Sequence, residues 1–477
     1  MKPEEFRRHG HAIVDWLADY QERIRDLPVQ AGTSPGDVKA LLPAMPPQDA
    51  EPFEAILADI DRVVLPHLSL WQHPSFFGYF PANALPAGIL ADFLSTGLGV
   101  LGLSWQSSPA VTEVEEVVVD WFRQMAGLSP GWFGVIQDTA STATLVALIC
   151  ARERATGNSF DRGGLQEQTP PLVVYTSASA HSSVEKAALL AGFGRAHVRM
   201  VEVDAAFAMR PEVLEAAIRA DQEAGRIPCA VVTAVGGTAT TSMDPVAEIA
   251  AIARRHGLWL HVDAAMAGSA MILPECRWMW DGIEGADSLV VNAHKWLGVP
   301  FDCSLYFVRD EAQLLRVMST NPSFLQSPVD DKVRNLRDTS IPLGRRFRAL
   351  KLWFVIREQG VAGLQARLRR DMALAQDLAR QVEAAPDWEI IAPVVLQTVC
   401  VRYAPPEVPA GRLDDFTRDW AAVVNASGRA YLTPAMVDGA WMVRISIGAH
   451  TTEAADVAAL WDLVQAVAAE RMREHAG

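Results

Sequence analysis

Between about residue 86 and residue 360 the chain repeats one pattern: a short, predominantly apolar run, then a stretch of helical periodicity. The runs are Leu172–Tyr175, Ala230–Ala234, Leu258–Val262, Ser288–Val291 and Ser304–Val308. Each is short for a helix and continuous rather than alternating, so each reads as a strand buried on both faces. Strands alternating with helices predict an α/β fold with a mostly parallel sheet covered on both sides. One crossover is fully punctuated. Asp244 can cap, Pro245 suits the first helical position, Val246–His256 has helical spacing, and Gly257 ends the helix before the next strand.

The flanks read differently. Residues 1–85 are predicted as a helical segment, with Phe6, Ile13, Leu17, Tyr20 and Ile24 at helical spacing, before prolines break up HPSFFGYFPANALP. Residues 86–360 form the large domain. Residues 361–477 form a small α+β domain: an amphipathic helix with Leu364, Leu368, Met372, Ala375 and Leu378 on one face, short strands around Trp388–Ile391, Val395–Arg402 and Trp441–Ile447, and a last helix from near Thr452.

Charge and composition remove several function classes. Lys plus Arg number 42 against 57 Asp plus Glu, a net charge of −15, which disfavours nucleic acid and anionic membranes as partners. The five cysteines (Cys150, Cys229, Cys276, Cys303, Cys400) are scattered and include no C-x-x-C pair, so reduced thiols and a cytoplasmic setting are expected. No His/Cys cluster has metal-ligand spacing, and the charged N-terminus lacks a signal peptide's apolar core. The most apolar stretch, Phe76 to Trp105, carries Asp92, Pro81 and Pro86, and reads as packing against another subunit rather than spanning a bilayer. Gly97-x-Gly99-x-x-Gly102 has the spelling of a dinucleotide-binding turn. The preceding Leu85–Thr96 looks helical and no strand-ending acid follows at the right distance, so a nicotinamide dehydrogenase is not expected.

Two strand ends carry the chemistry. His261-Val262-Asp263-Ala264-Ala265 closes a strand on a carboxylate, and Val290-Val291-Asn292-Ala293-His294-Lys295-Trp296 sets a lysine just beyond another. Open α/β sheets bind ligands at such ends. A desolvated lysine amine and a strand-end aspartate are the two groups pyridoxal 5'-phosphate (PLP) requires, one to bond its aldehyde and one to keep its ring nitrogen protonated. A lone lysine or aspartate at a strand end is more often solvated or ion-paired; the two together carry the reading. Thr139, Ala140 and Ser141 precede a helix predicted from Thr142 to Ala155 and could offer N–H groups to a phosphate, or Ser141 could simply cap the helix. His181, in Ser179-Ala180-His181-Ser182-Ser183, follows a strand and could lie over the cofactor ring; a loop histidine is otherwise usually just solvated.

Taken together, HVDAA, NAHKW, QDTASTATLVAL, SAHSSVEKA and IPLGRRFRALKLWF resemble the aromatic-L-amino-acid decarboxylases, over nearly the whole chain. The resemblance implies a PLP fold-type I (aspartate aminotransferase-like) architecture and a homodimer with its active site at the subunit interface. It assigns Lys295 to the cofactor aldehyde, Asp263 to the ring nitrogen and His181 to the ring face. Ala140 and Ser141 match phosphate positions; Thr238, Asn292 and His294, with Ala265 beside the aspartate, match further cofactor contacts. Trp71, Tyr79, Phe80 and Pro81 match an aromatic substrate wall, with Leu101 and Leu103 added by the partner subunit. An apolar, aromatic-lined slot suits an indole or phenyl side chain.

The sequence departs from the family pattern at three places. Ala82 stands for a threonine, Met266 for a tyrosine, and Phe324, in a mobile loop at about 312–340, for the catalytic tyrosine that protonates the substrate's α-carbon. The implied activity is decarboxylation of DOPA, tryptophan or a related aromatic L-amino acid to an arylalkylamine and CO2. The family's aldehyde synthases carry a matching tyrosine-to-phenylalanine change, and the alternative is therefore an aromatic acetaldehyde with ammonia and hydrogen peroxide.

Overall fold

The structure, a computed structural model, describes residues 1–167 and 170–476, with side chains at all of these except 324, 475 and 476. It divides into two compact units, one made of residues 82–375 and 392–398, the other of 1–81, 376–391 and 399–477.

The larger unit is built on a seven-stranded sheet: β1 (Phe133–Gln137), β2 (Leu172–Ser177), β3 (Val198–Val201), β4 (Ile227–Ala234), β5 (Trp259–Asp263), β6 (Ser288–Asn292) and β7 (Ser304–Val308). Their order is β1-β7-β6-β5-β4-β2-β3. The run from β6 through β5, β4 and β2 to β3 is parallel, while β7 is antiparallel to both β6 and β1. Every residue of β2, β6 and β7 is buried, as expected for strands covered on both faces. The five expected strands are present. The edge strand β3 escaped the sequence reading because it has only four residues and none but Val201 is buried.

The crossover into β5 runs through the helix Val246–His256, closed by Gly257 at φ 70°. Its start corrects the expectation. Pro245 is the N-cap, and the Asp244 carboxylate instead accepts the N–H of Ala234 at 2.7 Å, the Met209 N–H at 2.7 Å and the Thr233 hydroxyl at 2.9 Å. Tertiary partners took the cap residue. The helix Pro86–Leu98 precedes the glycine-rich spelling at 97–102, so the dinucleotide motif is absent.

In the smaller unit β8 (Trp388–Ile390), β9 (Thr398–Tyr403), β10 (Thr433–Val437) and β11 (Ala440–Ser446) form a four-stranded sheet in the order β10-β11-β9-β8. The hairpin strand β10 was not anticipated: Pro434 and four partly or fully exposed neighbours disguise it. The helix before this sheet, Arg348–Ala384, is broken at Gly360, whose φ of 63° only glycine adopts easily. Among the described residues no helix is long and apolar enough to cross a membrane, and no group of His, Cys, Asp and Glu could hold a metal ion.

Candidate active site

The C-terminal ends of β4, β5 and β6 are tied to one another by backbone bonds, which fixes the two chemical residues. The Asp263 carboxylate caps its own turn, accepting the Ala265 N–H at 3.0 Å. The Asn292 N–H reaches the Ala265 carbonyl at 2.9 Å, and the Val235 N–H reaches the Asp263 carbonyl at 3.0 Å. Beyond β6 the chain makes a tight turn: the Lys295 N–H donates to the Asn292 carbonyl at 3.0 Å, and the Gly298 N–H to the Lys295 carbonyl at 3.3 Å. Gly298 has φ 96°, and a β-carbon there would stand 2.6 Å from Leu85 Cδ1. The Asn83 amide also donates to the Lys295 carbonyl, at 3.4 Å. The lysine is presented by a backbone held on three sides.

His181 is the N-cap of the helix Ser182–Leu190. Its Nδ1 accepts the backbone N–H of Ser183 at 3.1 Å and lies 2.7 Å from the Ser183 hydroxyl. Burial pushes its pKa below the usual histidine value; the Asp263 charge opposes this and the Lys295 charge adds to it. Asp263 and Lys295 therefore both act electrostatically on the His181 ring. Residues up to 114 positions apart in sequence are gathered at one edge of one sheet.

Thr238 sits half-buried in the loop after β4, where the N–H groups of Gly236 and Gly237 both donate to the Ser242 carbonyl at 2.9 Å. His294 Nδ1 lies 2.9 Å from the Cys303 N–H and 3.0 Å from its carbonyl, and burial drives its pKa down to about 4. Asn292 Oδ1 accepts the Ser304 hydroxyl.

The helix Ala140–Ala155 begins two residues earlier than its sequence indicated. Thr139, not Ser141, is the cap: its Oγ1 accepts the Thr142 N–H at 3.4 Å. That places Ala140 and Ser141 in the first turn, where backbone N–H groups have no carbonyl within the helix to bond. Such a terminus, with the helix dipole behind it, suits a phosphate.

Three buried hydroxyls near these strand ends, Ser177 Oγ, Thr240 Oγ1 and Ser242 Oγ, have no hydrogen-bond partner among the described residues. Buried hydroxyls normally have a partner, so three at one sheet edge suit a polar ligand bound there. The donor set accordingly fits PLP: an amine for the aldehyde, a carboxylate for the ring nitrogen, and helix-terminal N–H groups for the phosphate.

The expected substrate-wall residues fall in two places. Trp71, Tyr79, Phe80 and Pro81 belong to the smaller unit. There Trp71 stacks on Tyr79 with centroids 5.2 Å apart, and the Tyr79 hydroxyl lies 3.1 Å from that of Tyr431. Phe76 stacks on Tyr431 at 5.2 Å, and the guanidinium of Arg444 lies 4.7 Å from the centroid of the Phe80 ring. Phe76 and Tyr431 were missed by the sequence reading, since nothing local marks a tyrosine some 350 residues away as part of this cluster. Leu101 and Leu103 belong to the larger unit; the Leu101 side chain is exposed, and the Leu103 carbonyl accepts the Arg337 N–H at 2.9 Å. The backbone at 323–325 forms one 3-10 turn, and the Phe324 side chain lies outside the described residues.

Comparison with known proteins agrees with this geometry. The pyridoxal-dependent decarboxylase conserved domain matches residues 35–404. A phenylacetaldehyde synthase of Arabidopsis thaliana is 40% identical over 475 residues, covering 98% of this chain and 96% of the relative. A tyrosine decarboxylase of Papaver somniferum is 38% identical, covering 98% and 94%. The crystal structure of Oryza sativa TDC with PLP and tryptamine superposes with a TM-score of 0.96 at 34% identity, covering 99% of each chain. With a lysine and an aspartate at adjoining strand ends, a histidine under the influence of both, and this breadth of likeness, the chain belongs to the pyridoxal-dependent decarboxylase family.

Proposed function

We propose that this chain releases carbon dioxide from aromatic L-amino acids such as DOPA or tryptophan, using PLP. When bound, PLP supplies an electron sink for the bond broken at the substrate's α-carbon. Lys295 would bond its aldehyde, Asp263 would keep its ring nitrogen protonated, and His181 would lie against the ring face. Thr139, Ala140 and Ser141 would hold the phosphate, with Thr238, Ala265, Asn292 and His294 completing the cradle. Trp71, Tyr79, Phe80 and Pro81 would bury the substrate's aryl group, with Leu101 and Leu103 reaching in from a second copy. The single observation that carries the reading is the placement of Asp263 and Lys295 at and just beyond the ends of the adjoining parallel strands β5 and β6, which the Asn292 N–H to Ala265 carbonyl bond of 2.9 Å ties together.

The working unit would be a homodimer with its site at the subunit interface, in the cytoplasm. What supports a dimer is uncovered apolar surface. The helix Pro3–Arg23 buries only His9, and Leu90, Leu94 and Leu98 are exposed along the helix Pro86–Leu98. Residues 1–85 would serve dimerisation, 86–360 would hold the cofactor and carry the loop at about 312–340, and 361–477 would form the small C-terminal α+β domain. Closure of that loop would exclude water.

A second reading, oxidation to an aromatic acetaldehyde, is favoured by Phe324 and by the 40% identity to a phenylacetaldehyde synthase. Here O2 and water are consumed, and CO2, ammonia and H2O2 leave with the aldehyde. Chromatography of the products from DOPA and tryptophan under air separates the two. Amine without peroxide eliminates the oxidative branch; no CO2 from any aromatic amino acid eliminates both. Purified protein that stays colourless with PLP, and takes no borohydride-stable adduct at Lys295, removes the premise.

A further inference from the structure

His181 is held by a donor that cannot turn round. The Ser183 backbone N–H, 3.1 Å from Nδ1, can only donate, so the ring nitrogen facing it must carry a lone pair. The Ser183 hydroxyl at 2.7 Å can rotate to suit either state, and so does not decide the matter. With Nδ1 as acceptor, the ring's one proton is on Nε2. Adding a second proton would set Nδ1–H against N–H and place a cation at the positive end of the helix Ser182–Leu190. The charged groups that act on the ring from other elements are Asp263, at the end of β5, and Lys295, after β6, and their effects oppose each other.

We propose that the first turn of this helix, through the Ser183 N–H, locks His181 as a neutral imidazole with its proton on Nε2. His181 is then a one-proton hydrogen-bond donor toward the cofactor and substrate, and Ser183 is a positioning residue acting through it. A neutral imidazole is too weak an acid to surrender that proton. With phenylalanine at position 324, neither residue delivers a proton to the substrate's α-carbon. This rests on the decarboxylase reading of the site and specifies what its histidine contributes.

The test is nitrogen-15 NMR of the histidine-labelled full chain, with and without PLP, the His181 signals being identified by their loss in His181→Gln. The expected result is a non-protonated Nδ1 and a protonated Nε2 with no titration from about pH 5 to about pH 8, the range where an ordinary histidine changes charge. Ser183→Ala removes only the rotatable hydroxyl and is expected to leave the tautomer in place; Ser183→Thr is expected to match the parent. A proton on Nδ1, a doubly protonated ring near neutrality, or a tautomer switch in Ser183→Ala overturns the proposal. In parallel, the pH profile of CO2 release is expected to lack a limb that tracks His181. Failure to bind PLP would sink the decarboxylase reading and leave the tautomer measurement standing. A charged His181 in a protein that binds PLP and releases CO2 would sink the tautomer lock alone.

Discussion

Trp296, the residue after Lys295, donates its indole N–H to the buried carboxylate of Asp371 at 2.9 Å. Neither side chain is exposed to solvent. The bond pins the lysine-bearing turn to the long helix that begins at Arg348. Arg370 donates to the same carboxylate at 2.8 Å, and Arg367, itself buried, gains from the Asp371 charge. Asp371→Ala would leave the Trp296 indole N–H without its acceptor and the buried Arg367 without the Asp371 charge. The expected destabilisation is about 3–5 kcal/mol, read as a lowered urea midpoint. A midpoint matching the parent would show that Asp371 does not hold the turn.

Acid should unfold this protein through two histidines. Burial lowers the pKa of His261 and of His294 to about 4, against an ordinary value of about 6.5. Both are favoured neutral in the folded state, so their contribution is complete above about pH 6.5 and disappears as pH falls toward about 4. Each is worth on the order of 3 kcal/mol across that window. Denaturant midpoints measured from neutral to acid pH should therefore fall in this interval. His261→Gln, which cannot titrate, should flatten roughly half of the slope.

Gly268→Ala should damage the site by packing alone. A β-carbon there would stand 2.4 Å from Val291 Cγ2 on β6, one residue before Asn292. Overpacking of this kind costs about 1–3 kcal/mol, and the strand that must yield is the one leading to Lys295. The expected outcome is a lower melting temperature together with weaker PLP retention on dialysis. Normal retention would mean that β6 absorbs the methyl without moving its end.

Phe324→Tyr restores a phenolic proton in the loop. If position 324 decides how the reaction ends, the variant should shift product from aldehyde and peroxide toward amine by about tenfold or more, a barrier difference of only about 1.4 kcal/mol. Quantifying amine and peroxide in the same reaction checks it. An unchanged ratio would transfer the decision to another residue.

Leu94→Asp tests the dimer. Leu94 is half-exposed in the single chain, so the substitution should alter monomer stability by no more than about 0.5 kcal/mol. If a second copy covers this helix, it would bury an unpaired carboxylate, and sedimentation should report monomers with depressed activity. A dimer of parent affinity would place the interface elsewhere.

How far the residues alone could be read depended on how local the signal was. β7 was legible over its full length, and four other strands to within a few residues, because a strand buried on both faces leaves a continuous apolar run. Lys295 and Asp263 were legible because each stands immediately beyond or at the end of such a run. Neither cap candidate caps its helix: Thr139 caps the one for which Ser141 was the alternative to phosphate binding, and Asp244 serves the Ala234 and Met209 N–H groups instead of the other. A side chain that can cap also satisfies distant donors, and only the packed chain determines which it meets.

The sequence by itself settled the α/β pattern, the lysine and aspartate at strand ends, and the phenylalanine in the loop, because each is a property of a few neighbouring residues. Only the tertiary structure decided that Asp371 anchors the turn after Lys295 and that Phe76 and Tyr431 join the aromatic cluster. Those relationships depend on direction and distance between groups up to several hundred residues apart, and residue order does not encode them until the sheet and its helices have packed.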